Sequence, residues 1–137
     1  MKTRLPLLLL FLLVGAAGFA AGRGVRPAGE LGLARIWHGR VANAKAVEYE
    51  KYLYEGGVTK MRARPSNLGV QVFRKTDGAF TDFLVVSYWP SRDSVREWAG
   101  ADIDQTRYLD RDKEYLVELE PLVQHYDIIV SEGKVTK

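Results

Sequence analysis

From Leu33 to Val41 the chain alternates as LARIWHGRV, which predicts a β-strand. One face of it carries Leu33, Arg35, Trp37, Gly39 and Val41, the other Ala34, Ile36, His38 and Arg40. The period then changes. Ala46, Tyr49, Leu53 and Gly57 recur at helical spacing, with Val47, Tyr54 and Val58 widening the stripe, so a helix is predicted from an Asn43 cap to about Lys60. Gly56 and Gly57 weaken its last turns, and Pro65 disfavours a helical Arg64. Two β-rich runs follow, Gly69–Lys75 and Phe80–Trp89. Thr76-Asp77-Gly78-Ala79 joins them, with Asp-Gly expected at the centre of a hairpin turn. Pro90 ends the second run, and Ser91 caps a short helix on which Val95, Trp98 and Ala99 share a face. Residues 101 to 119 read as two helical pieces broken around Asp110 and stopped by Pro121, and Leu122–Val130 is the last strand.

The resulting order is β-α-β-β-α-β. It predicts a ferredoxin-like α+β fold, a four-stranded antiparallel sheet with both helices on one face. The first and last strands are then neighbours, which brings His38 and His125 onto adjacent strands. Each strand carries apolar residues on both faces: Ile36 and Trp37, Val72 and Phe73, Leu84 and Val85, Ile128 and Ile129. A solvated face has no need of both sets, and a bare apolar sheet face is sticky in water. A homodimer that packs sheet against sheet is therefore expected.

The first residues do not belong to this pattern. Lys2 and Arg4 precede a segment without charge from Leu5 to Ala21 that ends in small residues, the layout of a secretory signal cleaved near Ala20 or Ala21, or of an uncleaved N-terminal anchor. Residues 1–21 are read as that segment, 22–32 as a glycine-rich linker, 33–131 as the folded domain and 132–137 as a polar tail. The domain is expected to be exported, periplasmic or secreted, or held outside the membrane by this segment alone. The chain has no cysteine, so disulfides, thiol nucleophiles and thiolate metal sites are excluded. The net charge of +3 includes Lys2 and Arg4, and no basic run speaks for nucleic acid.

Chemistry can then come from few residues. Trp37 and His38 are adjacent, so only one of them enters a pocket on the helix side of the sheet, and the alternation does not say which. His38 has the ordinary acidity for general-base work at neutral pH. Trp98 can wall a planar ligand. Asn67, Arg35, Tyr88 and Tyr108 lie at strand ends or helix breaks and could orient a hydroxyl or carbonyl. His125 and Asp127 share a strand face, but two histidines without carboxylates at ligand spacing predict no metal site. The phosphate-binding glycine loops and the Gly-x-Ser-x-Gly motif are absent.

The combination ARIWHGRV, GVQVFRK, FLVVSYWPSRDSVREWAG and ELEPLVQHYDII resembles the antibiotic biosynthesis monooxygenase domains over about Leu33 to Val130. That resemblance implies a dimeric α+β barrel with a pocket between the helices and the sheet. It also implies a small planar aromatic ligand, bound and oxidised with O2 without a cofactor, with His38 as catalytic base and Trp37, Trp98, Asn67 and Tyr108 as substrate-binding residues. The alternative it leaves open is a non-catalytic envelope protein that binds a small hydrophobe or haem. The family's haem-degrading branch has an asparagine on the first strand, a tryptophan on the helix after the third and a histidine on the next helix. Trp98 matches the tryptophan; Trp37 or His38 stands at the first position and Tyr108 near the last.

Overall fold

The computed structural model describes residues 29–133. The signal or anchor segment, most of the linker and the end of the tail lie outside the described residues. Four strands form one antiparallel sheet in the order β2-β3-β1-β4: β1 (Leu33–Ala42), β2 (Gly69–Asp77), β3 (Phe80–Trp89) and β4 (Gln124–Asp127). This is the ferredoxin-like topology, with the first and last strands paired.

Register decides which residues meet. β1 pairs β3 with Trp37 opposite Val85 and Gly39 opposite Phe83, and it pairs β4 with Arg35 opposite His125. The set Leu33, Arg35, Trp37, Gly39 and Val41 faces the helices, together with Thr81, Phe83, Val85, Ser87 and Trp89. Leu33, Val41, Phe83 and Trp89 form the sheet side of the core, packed against Ala46, Tyr49, Leu53 and Met61. The opposite face carries Ile36, His38, Leu84 and Val86, with Phe73 51% exposed on the edge strand β2. Arg74 and Lys75 on the same strand put charge on that unpaired edge, as exposed sheet edges commonly do.

The first helical segment runs unbroken from Asn43 to Arg62 but changes pitch. A 3₁₀ turn (Asn43–Lys45) leads into α1 (Ala46–Leu53), then a π-helical turn (Tyr54–Val58) and α2 (Thr59–Arg62). The π turn contains Gly56 and Gly57, where the α-helical ladder is weakest; Gly57 is buried against Leu53 and Leu109. The apolar stripe is narrower than expected, for Val47 is 78% exposed and Tyr54 is also outside. Asn43 is not a cap. Its amide donates to the Gly78 carbonyl (2.9 Å) and its oxygen accepts from the Thr81 hydroxyl (2.8 Å), tying the helix start to the hairpin.

That hairpin closes one residue later than the Asp-Gly pair suggested. Asp77 still pairs with Phe80, so the turn residues are Gly78 and Ala79, and Gly78 supplies the positive φ of 59° that such a turn favours. Ser91 accepts from the Ser94 amide (3.2 Å) at the start of the turn into α3 (Arg96–Ala99).

The two helical pieces expected over residues 101 to 119 reduce to α4 (Asp112–Tyr115). The backbone groups of the preceding stretch are taken by another segment: Thr106 N–H donates to the Pro121 carbonyl (2.8 Å) and Val123 N–H to the Asp104 carbonyl (2.9 Å). A helix there would have left these groups to pair locally, and no apolar stripe favours it. β4 is shorter than expected for a related reason. Leu122 is already bridged to Gln105, and beyond Asp127 the Ile128 amide bonds the Gly32 carbonyl, where β1 has not yet begun. Among the described residues no helix is long and apolar enough to cross a membrane.

Candidate active site

A partly open cavity lies between the sheet and the helical layer. Its floor is Arg35 and Trp37 of β1 with Val85 and Ser87 of β3; its roof is Tyr49, Leu53, Gly57 and Met61; its side wall is Trp98, Arg107, Leu109 and Asp112. The free space inside is about 30 Å³, enough for water and too little for an aromatic ring without movement of the lining. A second, outer pocket of about 90 Å³ backs onto Trp98, Arg107 and Leu109 from the solvent side, with Tyr108 on its rim. These three side chains line both pockets, and an aromatic ligand needs more room than the inner one holds, so the lining must move to admit it.

Asp112 is the buried acid of the cavity, 2% exposed. One oxygen accepts from the Tyr49 hydroxyl (3.1 Å) and the other from the Leu109 amide (2.7 Å). Burial holds the carboxyl above the ordinary carboxylate range, outweighing those two hydrogen bonds. The Tyr49 phenol is raised as well, first by burial and then by the neighbouring Asp112 charge. Tyr49 therefore stays a neutral donor, while Asp112 is a stronger base than an exposed carboxylate.

Arg35 is 3% exposed. One terminal nitrogen donates to the Gln105 carbonyl (2.8 Å), but its buried Nε has no acceptor among the described residues. Arg107 lays its guanidinium over the Trp98 indole, 4.3 Å from the ring centre, and donates to the Trp98 carbonyl. Together they fix the indole in the side wall.

The alternation of β1 is now resolved. Trp37 faces the cavity and His38 faces the open side of the sheet, so a base role for His38 on a ligand held by Trp37 and Trp98 of its own protomer has no geometric basis. His38 instead bridges two carboxylates, with Nδ1 2.6 Å from Glu120 and Nε2 3.1 Å from Asp82. Asp82 also accepts from two of the three Arg40 guanidinium nitrogens, Nε at 2.6 Å and Nη2 at 2.9 Å. Two ionised carboxylates offer only acceptors, so both imidazole nitrogens must carry protons. Burial pulls the His38 pKa down, but the hydrogen bonds and charges of Glu120 and Asp82 prevail and raise it. Asp82 is lowered to about 2, chiefly by its hydrogen bond to Arg40.

A raised histidine contributes stability that is complete below the ordinary value near 6.5 and is lost as pH rises through the folded value. A His38→Asn variant is therefore expected to lie furthest below the native urea midpoint at pH 5.5 and to approach it by pH 9. A gap of constant size across that range would show that His38 is not held as an imidazolium.

Neither Asn67 nor Tyr108 faces the cavity. Asn67 is buried in the turn between α2 and β2, where its oxygen accepts from Arg62 (3.0 Å). Tyr108 donates its hydroxyl to the Glu120 carbonyl (2.7 Å) on the outer side of the wall. His125 lies on the helix side of β4, its ring nearly enclosed and bonded to Asp104 (3.1 Å), but it is not part of the cavity lining. Haem iron takes histidine, thiolate, methionine or phenolate ligands. The cavity lining holds no histidine, and Tyr49 keeps its proton toward Asp112, so of these donors it offers the Met61 thioether. Among the described residues no acidic and histidine cluster suits a metal ion.

No family model matches the chain, and none of the curated proteins does. Solved structures do. A candidate antibiotic biosynthesis monooxygenase from Nitrosomonas europaea is 15% identical, covers 76% of this chain and 96% of its own, and superposes with a TM-score of 0.58. The haem-degrader MhuD of Mycobacterium tuberculosis, solved with two haems in its active site, is 16% identical over 74% of this chain and 99% of its own, at 0.48. The Streptomyces coelicolor monooxygenase ActVA-Orf6, in complex with nanaomycin D, is 17% identical over 79% and 95%, at 0.44. At such identities the likeness is one of fold, and the first of these carries it: the chain has the fold of an antibiotic biosynthesis monooxygenase domain.

Proposed function

We propose that this protein is an exported monooxygenase-like enzyme that encloses a small planar aromatic molecule and oxidises it with O2 without a cofactor. The observation that carries the reading is the convergence of two indoles, Trp37 and Trp98, and one buried carboxyl, Asp112, on a single cavity. Aromatic walls stack a planar ring. Asp112 takes the proton of a phenolic hydroxyl, since a carboxylate already accepting two hydrogen bonds has lone pairs left. Tyr49, still protonated, donates to Asp112 and keeps it oriented. The walls exclude water, so the electron-rich anion meets oxygen undiluted. In the oxidation of a phenol to a quinone one oxygen atom enters the ring and the other leaves as water. The substrate supplies all four electrons, so no reductant is needed.

The functional unit in this reading is a homodimer. A second copy covers the open sheet face, where Ile36, Leu84, Val86 and Phe73 are apolar. Export is read from residues 1–21.

Oxygen uptake by the protein purified from its own envelope tests the reading, with a panel of naphthols and naphthoquinols in chelator-treated buffer. The expected result is one O2 consumed per quinone formed. Quenching of tryptophan fluorescence by the same compounds without any oxygen uptake would instead establish a binding protein for small hydrophobes.

A further inference from the structure

We infer that the ligand of this cavity is an aromatic acid, whose carboxylate is received by Arg35 while its ring lies against Trp37 and Trp98. The inference deepens the proposed function and rests on it for the aromatic part alone.

An arginine inside a protein is ordinarily matched by an anion, because the guanidinium keeps its charge and desolvation is costly. Arg35 is not matched. It is 3% exposed, it lines the cavity, and among the described residues its side chain donates to a neutral carbonyl, that of Gln105. Its Nε–H is buried with no acceptor among the described residues. Burial lowers its pKa to about 10 against the charge of Asp104, so it remains a cation at neutral pH.

Its neighbours do not neutralise it. Asp104 is the nearest acid in effect, but its side chain is mostly in solvent and already bonds His125. His125, paired with Arg35 across the strands, has its pKa lowered by burial and then by Arg35 itself, so it is neutral. Asp112, at another side of the cavity, is engaged by Tyr49 and Leu109. The second cation of the lining, Arg107, is committed to the Trp98 ring and carbonyl. The cavity thus holds two guanidinium groups and one carboxyl, Asp112, which as the ionised base matches only one of them. A ligand with one negative charge completes this balance, and a planar carboxylate suits a guanidinium donor better than a bulkier dianion in an apolar space.

The test is a fluorescence titration of the full chain with 2-naphthoate and with 2-naphthamide, a neutral isostere. Native protein is expected to bind the naphthoate at least about tenfold more tightly, the size of a charge-assisted hydrogen bond in a desolvated site. The preference should persist at high salt, since a buried pair is little screened. Arg35→Gln should lose it and keep its affinity for the amide. Should Arg35→Gln fail to fold, Arg35→Lys serves, and a reduced but surviving preference is expected. Equal binding of the two probes by native protein, or an undiminished preference in Arg35→Gln, overturns the inference and leaves the aromatic cavity standing. Failure of both probes to bind overturns the aromatic reading itself.

Discussion

Asp112→Asn is expected to lower the rate of oxygen consumption by roughly 10²–10⁴-fold, the usual contribution of a positioned general base. Asparagine is nearly isosteric and still accepts one of the two hydrogen bonds, from Tyr49 or Leu109, but it cannot take a proton. The loss should therefore fall on kcat, with KM and fluorescence quenching close to native. A purely structural role predicts the opposite split, a weakened fold with the remaining folded protein fully active. Stability supplies an independent readout. Because burial raises the Asp112 pKa, its contribution is complete below the unfolded value near 3.8 and is lost as pH rises through the folded value. Above that point the buried charge is a cost that asparagine does not bear. The native urea midpoint should therefore fall relative to Asp112→Asn as pH is raised from 4 to 8. A difference independent of pH would mean that the carboxyl is not strained by burial, and its special basicity would go with it.

The strands were legible because period-two alternation is strong in β1 and β3 and because Gly78 and Pro90 punctuate them. The hairpin, the order of elements and the sheet topology follow from those signals. The cavity was legible only in part. The sequence offers Trp37 and Trp98 as aromatic walls and Arg35 as a polar group able to orient a ligand. The facing of β1 could not be read, and Arg35 is the reason. The inward set contains an arginine and a glycine, the outward set an isoleucine and an alanine, so hydrophobicity alone favours neither. His38 is the obvious titratable group of β1, yet its partners Asp82 and Glu120 lie 44 and 82 residues away along the chain, so no local pattern reveals them. Asp112 gave no signal. It stands in RDKEY among charges, where a surface position is the natural reading, and it is buried only because residues 104–106 pair with 121–123 and turn the chain under α1. Arg107 is hidden in the same way, in a stretch whose shape is set by tertiary backbone pairing rather than by its own periodicity.

Gly39→Ala is expected to destabilise the protein by about 1–3 kcal/mol, the usual cost of overpacking, and to weaken aromatic binding by at least tenfold. Gly39 does not have a positive φ, so no backbone requirement explains the glycine. Space does. A Cβ added there would lie 2.2 Å from Cη2 and 2.7 Å from Cζ2 of Trp37, and 2.9 Å from Cδ2 of Leu116. The benzo ring of Trp37 rests on the bare backbone two residues ahead, and that contact keeps the indole flat on the cavity floor. Replacing glycine in a strand by alanine gains about 0.4–1 kcal/mol by restricting the unfolded chain, which is too little to offset a displaced tryptophan. The displaced ring moves into a cavity with about 30 Å³ to spare or away from it, and either course removes one wall of the ligand site. Trp37→Phe isolates the cause, for phenylalanine is too short to reach the new methyl. In a double-mutant cycle the Gly39→Ala penalty should largely vanish in the Trp37→Phe background, a coupling of the size contacting residues show. Simple additivity of the two changes would mean that the methyl is accommodated elsewhere, and that the Trp37 indole is not set by Gly39.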